Sequence, residues 1–155
     1  SSAASDVYKR QKHNGLTFCA GSFSAGEHND CVAMAKQFAD RTHFVHLRSC
    51  YIFPNGNFTE ASHLGGRGHL IELCRIFEKA EQEGKCNSGR RLPMRVDHGM
   101  TFTDEPGGVF DESNHGHNAG YTLQGRMFAM GQIQGVIATV DDELGIEYKQ
   151  PGFYD

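Results

Sequence analysis

From Gly15 onward one order of residues occurs three times, and it leaves few folds open: a short apolar run ending in a polar residue, a loop, then an amphipathic stretch. The first run is Leu16, Thr17, Phe18 and Cys19. The second covers His43 to Leu47 and the third Leu92 to Asp97, where Pro93 is tolerated because it stands near the start of the run. Three strand-helix units in series predict parallel strands joined by right-handed crossovers, hence an α/β fold, either a (β/α)8 barrel or a doubly wound sheet. Three strands close neither. A whole eight-fold barrel takes roughly 200 to 250 residues, so on the barrel reading the 155 residues are part of one.

The stretches between the runs have helical spacing. Cys31, Met34, Ala35 and Phe38 fall at i, i+3, i+4 and i+7, with Asn29 or Asp30 placed to cap them. Leu70, Leu73, Cys74, Phe77 and Ala80 share one face of a second helix. Leu123, Met127, Met130, Ile133, Ile137, Val140 and Leu144 predict a third of about six turns. The segment Ala20 to Gly26 reads as a loop. So does the longer segment Ser49 to Gly68, where Pro54-Asn55-Gly56 and Gly65-Gly66 argue against regular structure. Residues 1–11 have neither periodicity and read as a non-native leader, which leaves 12–144 as the partial barrel and 145–155 as a tail.

Composition narrows the function classes. Fifteen basic against nineteen acidic residues suggest no nucleic-acid or anionic-membrane partner. With no run of 18 apolar residues and no charged-then-apolar start, membrane insertion and secretion find no support, and the cytoplasm is the expected location. The five cysteines are odd in number and lack CxxC spacing, which argues against a disulfide framework or a zinc knuckle.

Chemistry concentrates where the three runs end, at Cys19, His46 and Asp97. In α/β proteins active sites are built at the C-terminal ends of parallel strands, and neighbouring strands about 4.8 Å apart allow three such side chains to meet at one ion. Thiolate, imidazole and carboxylate together suit a borderline divalent transition metal, whereas the soft sulfur argues against Mg²⁺ and Ca²⁺. Each residue also has a plainer reading: Cys19 as a small buried hydrophobe, His46 as a core or loop histidine, Asp97 as a cap. Arg48, two residues after His46, can present its planar fork to a substrate carboxylate or form a surface ion pair. His98, next to Asp97, has the type of side chain that serves as general acid or base near neutral pH.

The segments GLTFCAGSF (Gly15 to Phe23), HFVHLRS (His43 to Ser49), NFTEASHL (Asn57 to Leu64), LPMRVDHG (Leu92 to Gly99) and AGYTLQGR (Ala119 to Arg126) resemble, in this order, the C-terminal half of the mannonate dehydratase family. The resemblance runs from about residue 14 to about residue 140. It implies about three βα units of a TIM (β/α)8 barrel of the xylose-isomerase-like type. It implies one divalent metal, Mn²⁺ or Fe²⁺, and dehydration of D-mannonate to 2-keto-3-deoxy-D-gluconate in hexuronate breakdown. By motif, Cys19, His46 and Asp97 match three of the family's four protein ligands, and the fourth, an upstream histidine, has no counterpart here. His98 and Tyr121 match the family's acid/base pair. Val96 stands where the family usually has proline.

In that setting Arg48 is expected to hold the substrate carboxylate. Glu60 and His63, in the long loop after the second run, are expected to contact substrate or close over it, against the plainer reading of a solvated loop. Arg95, on the same side of its strand as Asp97, is expected to bond a ligand or lie at the substrate, with an ion pair as its alternative. The expected partner is a small sugar acid, with a homo-oligomeric parent left open. Two other readings stand beside this one: a metal-dependent sugar isomerase or epimerase on a related barrel, and an inactive truncated product.

Overall fold

A computed structural model describes residues 11–102 and 120–147. Nearly all of the expected leader, most of the loop Met100 to Asn118 and most of the expected tail lie outside the described residues.

Three parallel strands form the framework: β1 (Leu16–Cys19), β2 (Thr42–His46) and β5 (Met94–Arg95), in the order β1-β2-β5. Each run of the sequence therefore supplies a strand. The third is shorter than its apolar pattern suggests, because Asp97 leaves the extended region for a left-handed conformation (φ 52°). Phe18 and Val45 are a register pair and wholly buried. The Phe18 ring meets Phe77 edge-on at 5.2 Å, which joins the sheet to the helical layer.

Helix α1 (Ala20–Ser24) follows β1 directly, so the segment from Ala20 to Gly26 is not the plain loop expected of it. Helix α2 (Cys31–Phe38) starts where Asp30 accepts hydrogen bonds from the Val32 and Ala33 amides at 2.9 and 3.0 Å, satisfying two donors that a helix start leaves open. Helix α3 (Leu70–Gln82) buries the five residues its spacing predicts, Leu70, Leu73, Cys74, Phe77 and Ala80.

The segment from Ser49 to Gly68 is also more regular than Pro54-Asn55-Gly56 suggests. It contains an antiparallel hairpin of β3 (Cys50–Ile52) and β4 (Phe58–Glu60), with Cys50 opposite Glu60 and Ile52 opposite Phe58. The turn residues are the hairpin's tip: the Phe53 amide bonds the Asn57 carbonyl at 2.7 Å, and Gly56 takes the positive φ that the reversal needs.

Helix α4 (Leu123–Leu144) has the predicted length but only half of the predicted stripe. Ile133 and Val140 are buried and Ile137 and Leu144 pack partly against the core, whereas Leu123, Met127 and Met130 are exposed. In its first half the inward residues are small, Gly125 and Ala129, so that part of the helix lies close to the backbone leaving β5. Its second half packs on α3, where Arg75 also makes a bidentate pair with Glu143. Among the described residues no helix is long and apolar enough to cross a membrane.

Candidate metal centre

Cys19 and His46 are the last residues of β1 and β2 and stand opposite each other in the parallel register. Register partners present their side chains on the same side of a sheet, so the thiol and the imidazole share one mouth. Asp97 arrives from the neighbouring strand two residues beyond β5, its left-handed backbone re-aiming the chain at that point. The donor atoms of Cys19, His46 and Asp97 lie within 4.8 Å of one another, with His46 Nδ1 at 3.6 Å from Asp97 Oδ2. That is the scale set by ligands about 2.0 to 2.3 Å from a common ion. The three predicted ligands are thus brought together.

Their state suits the task. Burial lowers the pKa of His46 and outweighs the opposing pull of Asp97, which favours the neutral imidazole that metals bind. Burial pushes the thiols of Cys31 and Cys74 up to about 11 and about 12, so neither offers a thiolate at neutral pH. Cys19 is only partly buried, and the hydroxyl of Ser22 donates to its sulfur at 3.1 Å.

Around this group the remaining predicted residues fall into two sets. The rings of His98 and Tyr121 are in contact, tilted at 58° with centroids 4.3 Å apart. The Tyr121 hydroxyl donates to Asp97 Oδ1 at 3.4 Å, and His98 Nε2 is 3.8 Å from Asp97 Oδ2. Arg95 donates to Asp97 Oδ1 at 3.0 Å, a contact that fits both the bond to a candidate ligand and the ion pair expected of it. Gly120 makes the close approach possible: its φ is +89°, and a Cβ there would lie 2.8 Å from His98 Cβ and 2.9 Å from His98 Nδ1. The Gly99 amide, bonded to the Gly120 carbonyl at 2.8 Å, clips the exit of β5 to the segment entering α4.

The second set departs from expectation. The fork of Arg48 is turned to Glu60, Nε to Oε2 at 2.9 Å and NH2 to Oε1 at 2.5 Å, so those two donors are engaged within the protein. Burial opposes the Arg48 charge, but the hydrogen bonds to Glu60 outweigh it and raise the pKa. Glu60 does not overhang the site as a lid; it closes β4 with its side chain turned in to Arg48. His63 is only 1% exposed, with Nε2 on the Val96 carbonyl at 3.2 Å, which corrects its assignment to substrate contact. Its role is to tie the loop after β4 to the exit of β5, and burial lowers its pKa so that it does this as a neutral ring.

Ser22 and Gly120 escaped the sequence reading. The signal for Ser22 was its place three residues after Cys19, one helical turn on, once α1 is recognised. For Gly120 it was the Gly-Tyr pair ahead of a helical pattern.

The family model for D-mannonate dehydratase matches residues 6–146. A mannonate dehydratase 2 from Agrobacterium fabrum is 38% identical over 134 residues, which cover 85% of this chain and 32% of that protein. A mannonate dehydratase from Saccharophagus degradans is 38% identical over 130 residues, 83% of this chain and 31% of that protein. The chain therefore spans about a third of the length of these curated relatives. The crystal structure of mannonate dehydratase from Streptococcus suis serotype 2 superposes with a TM-score of 0.67 and 20% identity, over 99% of this chain and 42% of that one. At that identity the likeness speaks for the fold.

Proposed function

Because the chain belongs to the D-mannonate dehydratase family, we propose that it is the metal-binding C-terminal portion of an enzyme that dehydrates D-mannonate to 2-keto-3-deoxy-D-gluconate. In this reading β1, β2 and β5 form one arc of a xylose-isomerase-like (β/α)8 barrel. A cytoplasmic location, a sugar-acid substrate and a homo-oligomeric parent belong to the same proposal. The observation that carries it is the convergence of Cys19, His46 and Asp97 at the strand ends, with His98 and Tyr121 beside them.

The donor set fits a divalent transition ion, for which we propose Mn²⁺ or Fe²⁺. The chemistry such an ion supplies when bound is Lewis acidity toward the substrate's carboxylate side. The remaining work falls to this chain. Dehydration breaks the C2–H and C3–OH bonds and leaves an enol that becomes the 2-keto acid, with water as co-product. His98 and Tyr121 share the two proton transfers, one taking the C2 proton and the other delivering a proton to the departing C3 hydroxyl. Asp97 holds the Tyr121 hydroxyl by its hydrogen bond, and Arg95 holds Asp97.

The test is an assay of the full-length protein, loaded with Mn²⁺ or Fe²⁺, on D-mannonate, aldoses and ketoses. Formation of the 2-keto-3-deoxy acid from mannonate alone supports the proposal. Interconversion of aldoses and ketoses without dehydration would move the protein to the isomerase reading.

A further inference from the structure

Glu60 lies where the hairpin meets the metal group, and its side chain is 7% exposed. A carboxylate that dry is costly unless it is paired and hydrogen-bonded. Arg48 supplies the pairing through its two-point contact, and the same Oε1 that accepts from Arg48 NH2 lies 3.2 Å from His98 Nδ1. Arg48 and Glu60 are both held in place. Arg48 lies across Gly21, where a Cβ would stand 2.3 Å from Arg48 Cδ. The end of β4 is tied back to the exit of β2 by the Cys50–Glu60 register pair and by the Ala61 amide on the Ser49 carbonyl at 3.0 Å.

We propose that Glu60 is the positioning residue for His98: it accepts the Nδ1–H, fixes the imidazole's tautomer and ring plane, and so turns Nε2 toward the Cys19, His46 and Asp97 group. Which nitrogen of a neutral imidazole carries the proton is set by the hydrogen bonds the ring makes: the nitrogen that faces an acceptor keeps the proton. A carboxylate accepts and cannot donate, so Glu60 selects the Nδ1–H form. Nε2, 3.8 Å from Asp97 Oδ2, is then the nitrogen on the reacting side. Glu60 is poorly suited to contact a sugar acid directly, since its oxygens are engaged and a second carboxylate would be repelled. The β3–β4 hairpin is the element that delivers it. The inference rests on the acid/base reading of His98 given above and deepens it.

The experiment compares Glu60→Gln and Glu60→Asp with the wild type in the full-length protein. A glutamine offers one acceptor oxygen where Arg48 and His98 together use both sides of the carboxylate, so Glu60→Gln lowers kcat by about tenfold or more, up to the loss of about 10²- to 10⁴-fold that removing a general acid or base itself produces. KM and the affinity for Mn²⁺, measured by chelator competition, stay within about threefold, and Glu60→Asp recovers part of kcat by keeping the charge. In the Zn²⁺-loaded, ¹⁵N-histidine-labelled protein, the His98 resonances, identified by their loss in His98→Gln, report the Nδ1–H tautomer, and Glu60→Gln raises the Nε2–H population. A raised KM at unchanged kcat would make Glu60 a substrate contact and overturn the proposal. So would an unchanged tautomer, or a metal affinity that falls in step with kcat. Should the wild type fail to dehydrate mannonate, that failure falls on the proposed reaction, while the tautomer readout still decides the role of Glu60.

Discussion

At the ends of the parallel strands and between α3 and α4 the molecule buries carboxylates in two different ways. Glu60 and Asp97 have side chains 7% and 8% exposed, and each is met by partners: Arg48 and His98 for one, Arg95, His46 and Tyr121 for the other. At the helix interface Glu78, partly buried, lies near the buried Asp141 with Arg91 as the shared cation, and Asp141 Oδ1 is buried without a hydrogen-bond partner among the described residues. Burial, then Asp141, then Glu81 push the Glu78 carboxyl up to about 7. The contrast separates acids whose oxygens are met by several partners from acids left with a single shared cation. Burial alone distinguishes neither; the count and kind of partners does.

The most severe way to break the comparison is at the paired end. In the full-length protein, His98→Ala should lower turnover of mannonate by about 10²- to 10⁴-fold while metal binding persists; near-normal turnover would remove His98 from the chemistry. Next in size, Cys19→Ser and Asp97→Asn should each weaken Mn²⁺ binding by more than the about 10- to 100-fold typical of losing a residue that only braces a ligand. Calorimetric titration reads the affinity. Glu78→Gln, the same loss of charge at the other place, should leave it unchanged.

How much of this was legible in the sequence depended on whether the signal was local. The strand ends carried Cys19, His46 and Asp97 because each apolar run stops there, and the five buried positions of α3 followed from spacing alone. Register is not local: that Cys19 faces His46 is a property of pairing, which no stretch of sequence states. Pro54-Asn55-Gly56 signals a loop and hides the hairpin, although Tyr51-Ile52 before it and Phe58-Thr59 after it are the strand formers such a turn joins. The place of Glu60 depends on the hairpin, so the sequence leaves Arg48 between a substrate carboxylate and an ion pair and does not name Glu60 as the partner. In α4 a 3–4 repeat runs through the whole helix, but its first half packs through Gly125 and Ala129, whose smallness is no hydrophobic signal.

A smaller effect tests whether the paired end depends on close backbone approach. Gly120→Ala places a methyl group against His98 at a φ of +89°, so either His98 or the Gly120 segment must move. Turnover should fall by about tenfold, the kind of loss that misplacement by about an ångström produces, with Mn²⁺ affinity changed less than about threefold. Wild-type turnover in this variant would mean that the close His98–Tyr121 ring contact at 4.3 Å has no part in catalysis.

The smallest effect belongs to the under-partnered end and is a matter of stability. Glu78 has a folded pKa raised to about 7 from an ordinary value of 4.5, so between those values the folded state holds more protons than the unfolded state. Stability from this group is then fully present below the unfolded value, is lost as pH rises through about 7, and is flat above. Because Glu78 is only partly buried, the change should be roughly 1 to 2 kcal/mol after allowance for solvent screening. Glu78→Gln, which keeps the shape and removes the charge, should flatten the slope between pH 5 and pH 7 and raise stability at pH 8, measured by urea denaturation of the full-length protein. An unchanged slope would show that Arg91 compensates Glu78 as completely as Arg48 compensates Glu60, and the distinction between the two places would fail.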